Sequence, residues 1–228
     1  MIDHRKGSFF GRRKGKPLRE RQASLMETVL PALRPDLGTP PPEDIRRLFA
    51  APVKDVWLEV GFGGGEHLLH EAERLPETGF IGVEPFVGGM AKAVAGSADA
   101  ALQNLRLFDD DAGKLLDWLP ESSVDGVYQL YPDPWPKKRH WKRRFINPVN
   151  LDRYARVMKP GALFRFASDI DTYVDWTLRH MRNHPAFAWT CERASDWKEP
   201  WQPWSGTRYE KKAIAEGRVP RYLEFRRI

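Results

Sequence analysis

A glycine-rich turn between the first predicted strand and helix provides the backbone of a ligand site. Residues 57–66 are Trp-Leu-Glu-Val-Gly-Phe-Gly-Gly-Gly-Glu. Such a turn lets a ligand approach backbone N–H groups at the positive end of the helix. Gly61 and Gly63 match the dinucleotide fingerprint, but its third glycine position falls on Glu66, and Glu59 precedes the turn. A diphosphate would therefore meet two carboxylates, whereas a cation of similar size would be attracted.

Further carboxylates follow the next two predicted strands. Glu84 ends the second strand, where an acid would accept hydrogen bonds from both hydroxyls of a ribose, and residues 109–111 are three aspartates after the third strand. We expect Asp111 to reach the amino edge of an adenine, with Asp110 as the alternative. Taken singly, each acid is equally explained as a charge near a helix or as an N-cap. Together they favour S-adenosylmethionine, which carries an ammonium and a sulfonium, over a nucleotide phosphate.

A polar residue between two prolines follows the fourth predicted strand. Residues 131–135 are Tyr-Pro-Asp-Pro-Trp, so Asp133 lies where open α/β sheets place their active sites. The prolines stiffen this loop and hold the side chain at a fixed angle. An ordinary turn after a strand is the alternative explanation, but it leaves the basic run that follows unexplained.

Two basic clusters indicate a polyanionic partner. The 228-residue chain has 37 Lys and Arg against 31 Asp and Glu, but residues 5–21 hold eight cations and one acid, and residues 137–144 hold six cations and no acid. Solvated, solubilising stretches are the alternative. Trp141 inside the second run favours nucleic acid. Trp135 or Trp141 would stack on an exposed base, with packing in the core as the alternative.

The elements around these motifs alternate as in a doubly wound α/β sheet with parallel strands. The predicted strands are residues 56–60, 80–83, 105–108, 126–130, 163–167, 188–192 and 221–226. The predicted helices are residues 64–75, 90–101, 112–119, 150–157 and 172–183, with a shorter one near 43–50 and a long loop before the last strand. Residues 1–17 lack apolar periodicity and are expected to form a mobile basic arm, and residues 18–228 a single domain.

Composition and residue usage exclude several classes of protein. No apolar run approaches the roughly 20 residues of a membrane span. Cys191 is the only cysteine, so no internal disulfide forms, and a reducing cytoplasm is the expected location. The lone cysteine and scattered histidines offer no metal-ligand spacing, so no metal is expected.

Taken together, these motifs resemble the bacterial tRNA (guanine-N7)-methyltransferase (TrmB) family over nearly the whole chain. The matching segments are residues 58–63, 82–84, 131–135, 137–144 and 207–210. The Pro-Asp-Pro-Trp segment followed by the basic run is specific, whereas the glycine motif is shared by many class I methyltransferases. The resemblance implies the Rossmann-like class I methyltransferase fold, with a mostly parallel seven-stranded sheet and an antiparallel C-terminal strand. It also implies methyl transfer from S-adenosylmethionine to N7 of guanine 46 in the variable loop of tRNA, by a monomer or homodimer.

The resemblance implies a role for each matching residue. The implied cofactor contacts are Glu59, Gly61, Gly63, Glu84, Asp111 and Asp133, and Asp133 is also the implied catalytic residue. The implied substrate contacts are Lys137, Asp169, Thr207, Arg208, Tyr209 and Glu210. The two basic clusters add candidate phosphate contacts at Arg12, Arg13, Lys14, Arg139, Lys142, Arg143 and Arg144. The family often has one aspartate where this chain has three, so the adenine contact stays open between Asp110 and Asp111.

The chemistry of N7 suggests how Asp133 would act. Guanine N7 has an unshared electron pair and no proton, so methyl transfer needs alignment and charge placement more than a general base. We hypothesise that the Asp133 carboxylate accepts hydrogen bonds from guanine N1 and the exocyclic amine, and that Asp169 shares this duty. The rival functions are a non-catalytic RNA-binding protein, and a methyltransferase acting on another nucleobase or on protein.

Overall fold

A single seven-stranded sheet forms the centre of the protein. The computed structural model describes residues 10–228, so residues 1–9 of the expected basic arm lie outside the described residues. The strands are β1 (Asp55–Val60), β2 (Thr78–Val83), β3 (Leu105–Phe108), β4 (Val124–Leu130), β5 (Met158–Ser168), β6 (Phe187–Trp189) and β7 (Arg221–Arg227). Their order across the sheet is β3-β2-β1-β4-β5-β7-β6.

The pairing confirms the predicted sheet. Strands β1 to β5 pair in parallel, and β7 pairs antiparallel with both β5 and β6. Parallel neighbours require a crossover, and a helix packed on the sheet supplies it. Strand β2 is buried along its whole length because helices cover both faces of the sheet. All the parallel strands therefore end at one edge, where the acids of the sequence collect.

The helices divide between the two faces of the sheet. They are α1 (Glu20–Thr28), α2 (Leu30–Leu33), α3 (Glu66–Arg74), α4 (Val87–Asp99), α5 (Ala112–Trp118), α6 (Pro148–Val157), α7 (Asp171–Arg182), α8 (Ser195–Lys198) and α9 (Arg208–Ala215). One hydrophobic cluster joins α1 to α4 with β2 and β3. A larger cluster joins α5, α6 and α7 with the centre of the sheet. Gly82 shows how tight this packing is, since a Cβ there would lie 2.3 Å from Leu68 Cδ2.

The structure differs from the sequence-based prediction mainly in the connections. The segment from residue 43 to 50 contains a 3-10 helix, Ile45–Leu48, and the second basic run forms another, Lys138–Arg143. The long loop expected before the last strand contains α8 and α9. Helix α9 begins with a capping box, in which Thr207 Oγ1 accepts from Glu210 N (3.0 Å) and the Glu210 carboxylate accepts from Thr207 N (3.3 Å). The Thr-x-x-Glu spacing is a signal in the sequence for this helix start.

None of the helices within residues 10–228 is long and apolar enough to cross a membrane.

Candidate active site

A cavity of about 710 Å³ opens at the carboxyl ends of the parallel strands. This volume is typical of small-molecule sites, which lie at this edge in open α/β sheets. The predicted residues that line it are Gly61, Gly63, Glu84, Asp111, Asp133, Asp169, Tyr209, Arg12, Lys142, Arg143 and Arg144. The structure therefore brings most of the predicted cofactor contacts into one place.

The glycine turn after β1 is shaped by positive φ angles and close packing. Gly61 has φ 77° and Gly63 has φ 62°, values that side chains with a Cβ rarely adopt. Glu84, at the end of β2, accepts hydrogen bonds from Gly63 N (2.8 Å) and Phe86 N (2.9 Å). A Cβ on Gly89 would lie 2.0 Å from the Gly63 carbonyl oxygen, so α4 presses directly on the turn. These contacts hold the backbone and the carboxylate in one fixed arrangement.

Two carboxylates in the cavity wall are partly stripped of water. Desolvation raises the pKa of Glu84, against the hydrogen bonds from Phe86 and Gly63 that lower it, and the charge of Asp133 raises it further. Desolvation also raises the pKa of Asp133, although its side chain opens into the cavity and stays accessible. A cation entering the cavity would stabilise both ionised forms. The electrostatics of this site therefore favour a positively charged ligand.

Among the three aspartates after β3, Asp111 faces the cavity. It is also the N-cap of α5, where its Oδ1 accepts from Gly113 N at 2.8 Å, so the capping explanation and the cofactor explanation apply to the same residue. Asp110 pairs instead with Arg13 (2.8 Å) and Lys114 (2.5 Å). Burial raises the pKa of Asp110, but these hydrogen bonds outweigh it and lower the pKa to about 2. The geometry thus favours Asp111 as the residue available to an adenine.

Glu59 lies apart from the other predicted cofactor contacts. It is buried, and its Oε2 lies 2.8 Å from His67 Nδ1 on α3. His67 in turn packs edge-on against Tyr128, with ring centroids 4.6 Å apart. Glu59 does not line the cavity. Its carboxylate joins β1 to α3 in this structure, and a direct cofactor contact by Glu59 stays a prediction.

The loop after β4 has unusual backbone geometry at both ends. Tyr131 has φ 49° and Trp135 has φ 44°, in the left-handed region that aromatic residues rarely enter. Tyr131 N donates to Ala167 O (2.7 Å), which ties the start of the loop to β5. Non-glycine residues in this region cost about 1–3 kcal/mol each and cluster at functional sites. The strained ends present Asp133 to the cavity.

The second basic run lies beside this loop. Lys137, Arg139 and Lys142 are exposed, and Arg143 places its guanidinium over the Trp135 ring, 4.9 Å from the ring centre. Lys142 and Arg143 line the cavity, whereas Lys137 and Arg139 lie outside it. The exposed cations form a surface next to the cavity mouth that is suited to phosphates.

Arg144 differs from its neighbours in being buried, and a contact between it and an RNA phosphate stays a prediction. Its relative exposure is 0%. Its guanidinium donates to Pro134 O (3.0 Å), Thr172 O (2.7 Å) and Thr172 Oγ1 (3.1 Å). The last residue of the basic run turns inward because the 3-10 helix ends there, which no pattern of charge in the sequence reveals.

Asp169, at the end of β5, faces the cavity with an arginine partner. Its Oδ2 lies 2.8 Å from Arg218 Nε, and both residues line the cavity. Arg218 was absent from the sequence-based prediction, since it belongs to none of the recognised motifs. It follows Gly217, whose φ of 74° turns the chain back from α9 toward the sheet.

The four residues predicted at the start of α9 divide into two pairs. Thr207 and Glu210 are buried and engaged in the capping box, and Glu210 also accepts from Trp204 Nε1 at 2.9 Å. Tyr209 lines the cavity, and Arg208 donates to the Tyr209 hydroxyl at 2.9 Å. Thr207 and Glu210 therefore fix the helix, and Tyr209 is the residue presented to a ligand.

Part of the basic arm lies against the cavity rim. Phe10 and Arg12 line the cavity. The Arg13 carbonyl accepts from Val87 N (2.9 Å), the first backbone N–H of α4, while Lys14 is exposed. Arg12 therefore lies at the same cavity as Lys142 and Arg143 of the second basic run, and the mobile arm up to residue 17 stays a prediction.

Two solved structures share this architecture. The 16S rRNA methyltransferase KamB superposes with a TM-score of 0.59 at 17% identity, covering 83% of this chain and 96% of that chain. TrmN from Thermus thermophilus superposes with a TM-score of 0.54 at 18% identity, covering 80% of this chain and 46% of that chain. At this level of identity the likeness shows the fold, the Rossmann-like fold of S-adenosylmethionine-dependent methyltransferases.

Sequence relatives identify the family to which the chain belongs. Residues 53–221 match the protein family described as "Putative methyltransferase". The tRNA (guanine-N(7)-)-methyltransferase of Mesorhizobium japonicum (strain LMG 29417 / CECT 9101 / MAFF 303099) is 62% identical over 218 residues, 96% of this chain and 94% of that protein. The enzyme of the same name from Rhizobium meliloti (strain 1021) is 60% identical over 220 residues, 96% of this chain and 95% of that protein. With the cavity, the acids and the basic surface in place, this chain belongs to the tRNA (guanine-N(7)-)-methyltransferase family.

Proposed function

We propose that this chain transfers the methyl group of S-adenosylmethionine to N7 of guanine 46 in the variable loop of tRNA, in the cytoplasm. The observation that carries the proposal is a cavity lined by carboxylates that opens beside exposed cations at one edge of the sheet. The names of the relatives support guanine N7 and tRNA. The choice of position 46 follows from the family resemblance of the sequence.

The cavity residues fit S-adenosylmethionine. The Glu84 oxygens each accept one backbone N–H, from Gly63 and Phe86, and each keeps a lone pair for a ribose hydroxyl. Asp111 keeps its Oδ2 for the adenine amino group, because Gly113 N occupies Oδ1. When bound, the cofactor supplies a methyl carbon made electrophilic by its sulfonium. The desolvated acids would hold such a cation and discriminate against a diphosphate.

Asp133 and Asp169 are positioned for the guanine. Both line the cavity, one on the loop after β4 and the other at the end of β5. Desolvation around Asp133 strengthens any hydrogen bond that its carboxylate accepts from guanine N1 and the exocyclic amine. The ring gains positive charge as N7 takes the methyl group, so a fixed carboxylate stabilises the transition state more than the ground state. No proton transfer at N7 is required.

The cations around the cavity mouth would hold the tRNA backbone. The exposed candidates are Arg12, Arg13, Lys14, Lys137, Arg139 and Lys142, with Arg143 partly buried beside them. Arg143 already stacks on Trp135, which places a charged group and a ring next to the base-binding cavity. Phosphate contacts of this kind make binding depend steeply on salt concentration.

Methylation of defined transcripts tests the proposal. Purified protein is incubated with labelled S-adenosylmethionine and either a tRNA transcript with guanine at position 46 or the same transcript with adenine there. We expect N7-methylguanosine in the first transcript only, at position 46. Label at another nucleoside, or in protein, supports the rival methyltransferases, and tRNA binding without methyl transfer supports a non-catalytic RNA-binding protein.

Asp133→Asn tests the electrostatic role. The variant keeps the size and shape of the side chain but removes its charge, so we expect turnover to fall about 100- to 1000-fold, the usual loss for a group that stabilises charge in the transition state. Calorimetry with S-adenosylmethionine shows whether the cofactor still binds. Near-normal turnover by a variant that binds the cofactor normally contradicts the proposed role.

A further inference from the structure

Arg144 is a buried cation that is held by neutral groups. Within residues 10–228, no carboxylate lies within ion-pair distance of it, and its hydrogen-bond acceptors are two backbone carbonyls and one hydroxyl. Its guanidinium carbon lies 4.6 Å from the ring centres of Trp141 and Tyr173, and 5.5 Å from that of Trp176. These rings offset part of the cost of removing the charge from water. Burying a charge in this way costs free energy, so the groups that its hydrogen bonds connect indicate its role.

The guanidinium joins the two loops that carry the substrate-facing acids. Its Nε donates to the carbonyl of Pro134, the residue after Asp133. Its two terminal nitrogens donate to the carbonyl and hydroxyl of Thr172, which lies in the first turn of α7, three residues after Asp169. The donors of a guanidinium form a rigid planar fork. The fork therefore sets the position of one loop relative to the other.

The second half of the loop with Asp133 is held by three contacts: the Arg144 bond to Pro134, the Arg143 guanidinium over the Trp135 ring (4.9 Å), and a long bond from Trp141 Nε1 to Pro136 O (3.4 Å). Tyr131 N donates to Ala167 O at its start. Pro132 and Pro134 have no N–H to donate, and Trp135 is in the left-handed region with φ 44°. The Pro134 carbonyl is the anchor nearest to Asp133 on this side, and its donor, Arg144, is the residue that also bonds to Thr172.

We propose that Arg144 is a positioning residue for methyl transfer, which fixes Asp133 and Asp169 relative to each other by joining Pro134 to Thr172. This inference rests on the proposed function of the same cavity. Arg144 borders the cavity but has no exposed surface, so its role is to act through Pro134 and Thr172. A lysine would keep the charge but lose the fork, because a single ammonium cannot reproduce the planar geometry of the three bonds.

Arg144→Lys is compared with Arg156→Lys as its matched control. Arg156 is a partly buried arginine that, like Arg144, donates to backbone carbonyls, those of Leu116 and Leu119, but it lies away from the cavity. Steady-state kinetics with tRNA, calorimetry with S-adenosylmethionine and hydrogen exchange by mass spectrometry are measured for both variants. Because misplacement by about 1 Å can lower a rate 100-fold, we expect kcat of Arg144→Lys to fall about 100-fold. Its KM for tRNA and Kd for the cofactor should stay within about threefold, and kcat of Arg156→Lys should not change.

Hydrogen exchange tests the positioning role without an activity measurement. Peptides covering residues 131–137 and 168–173 should exchange faster in Arg144→Lys than in Arg156→Lys, because both loops lose their common anchor. This result also separates the inference from the proposed function. If the wild-type chain methylates another target, the coupled exchange still supports a positioning role. Exchange that is unchanged in both peptides overturns that role.

Thr172→Val tests the same link from its other end. It removes the hydroxyl that accepts from Arg144 Nη2 and keeps the carbonyl, so kcat should fall less than in Arg144→Lys, about 3- to 10-fold, because two of the three bonds from the cation remain. The proposal is overturned if Arg144→Lys retains wild-type kcat, or if its KM and salt dependence change while kcat does not, as for a phosphate contact. It is equally overturned if Arg144→Lys fails to fold and Thr172→Val keeps full kcat.

Discussion

Replacing Glu84 by glutamine should weaken cofactor binding with little effect on the fold. Glu84 accepts from Gly63 N (2.8 Å) and Phe86 N (2.9 Å) through different oxygens. Glutamine keeps one of these acceptors and turns an amide NH₂ toward the other backbone N–H. The negative charge and one acceptor for the ribose are lost together.

The size of the effect follows from the hydrogen bonds. A hydrogen bond to a charged group contributes about 1.5–3 kcal/mol, so losing one to the ribose corresponds to a Kd for S-adenosylmethionine raised about 10- to 150-fold. The melting temperature of the free protein should change little. Burial raises the pKa of Glu84, which shows that its charge is disfavoured there, so removing that charge offsets the lost backbone hydrogen bond.

Glu77→Gln is the control, because it makes the same substitution at the opposite end of β2. Glu77 pairs with Lys54, and its side chain is 69% exposed. Isothermal calorimetry gives the cofactor Kd, and differential scanning fluorimetry gives the melting temperature. A Glu84→Gln protein that binds within threefold of wild type, or a Glu77→Gln protein that loses as much affinity, refutes the assignment of Glu84 to the ribose.

Three further predictions concern the adenine contact, the RNA surface and pH. Asp111→Asn should raise the cofactor Kd about tenfold while Asp110→Asn leaves it unchanged, because only Asp111 faces the cavity; equal losses in calorimetry contradict this. Lys142→Ala should raise KM for tRNA and reduce the slope of log affinity against log salt by about 1, whereas the exposed Lys54 should show no effect when replaced by alanine. The raised pKa of Asp133 means that the carboxylate takes up a proton at higher pH than usual, so kcat should fall as the pH falls through that pKa and stay level above it. The acid limb should disappear in Asp133→Asn, and an unchanged limb assigns the titration to another group.

The raised pKa values of Glu84 and Asp133 also affect stability. Between the ordinary pKa of a carboxyl group and its raised value, the folded protein binds more protons than the unfolded chain, so the stability that these groups contribute is lost as pH rises. Acid conditions thus stabilise the empty cavity and weaken its affinity for a cation. As the pH rises and these carboxylates ionise, the free energy of unfolding falls while the affinity for a cation increases.

The strands, most helices and the edge that carries the site follow from local patterns in the sequence. Short apolar runs alternating with amphipathic segments predict parallel strands joined by helices. Parallel strands end at one edge, so acids placed directly after strands, such as Glu84, Asp111 and Asp133, meet there whatever the details of packing. Spacing along the chain was sufficient because each of these residues is positioned by its own strand.

Side-chain partners could not be predicted in this way. Arg143 and Arg144 are adjacent and identical in type, and both border the cavity. Arg143 is partly exposed, whereas Arg144 is buried against Thr172, 28 residues away. Asp110 is occupied by Arg13, 97 residues away, and Asp169 by Arg218. These pairings depend on how distant elements pack, because burial and side-chain direction arise only when the helices, the loops and the sheet come together. A charge run in the sequence therefore indicates an RNA-binding surface, but the folded chain selects which of its residues reach the solvent.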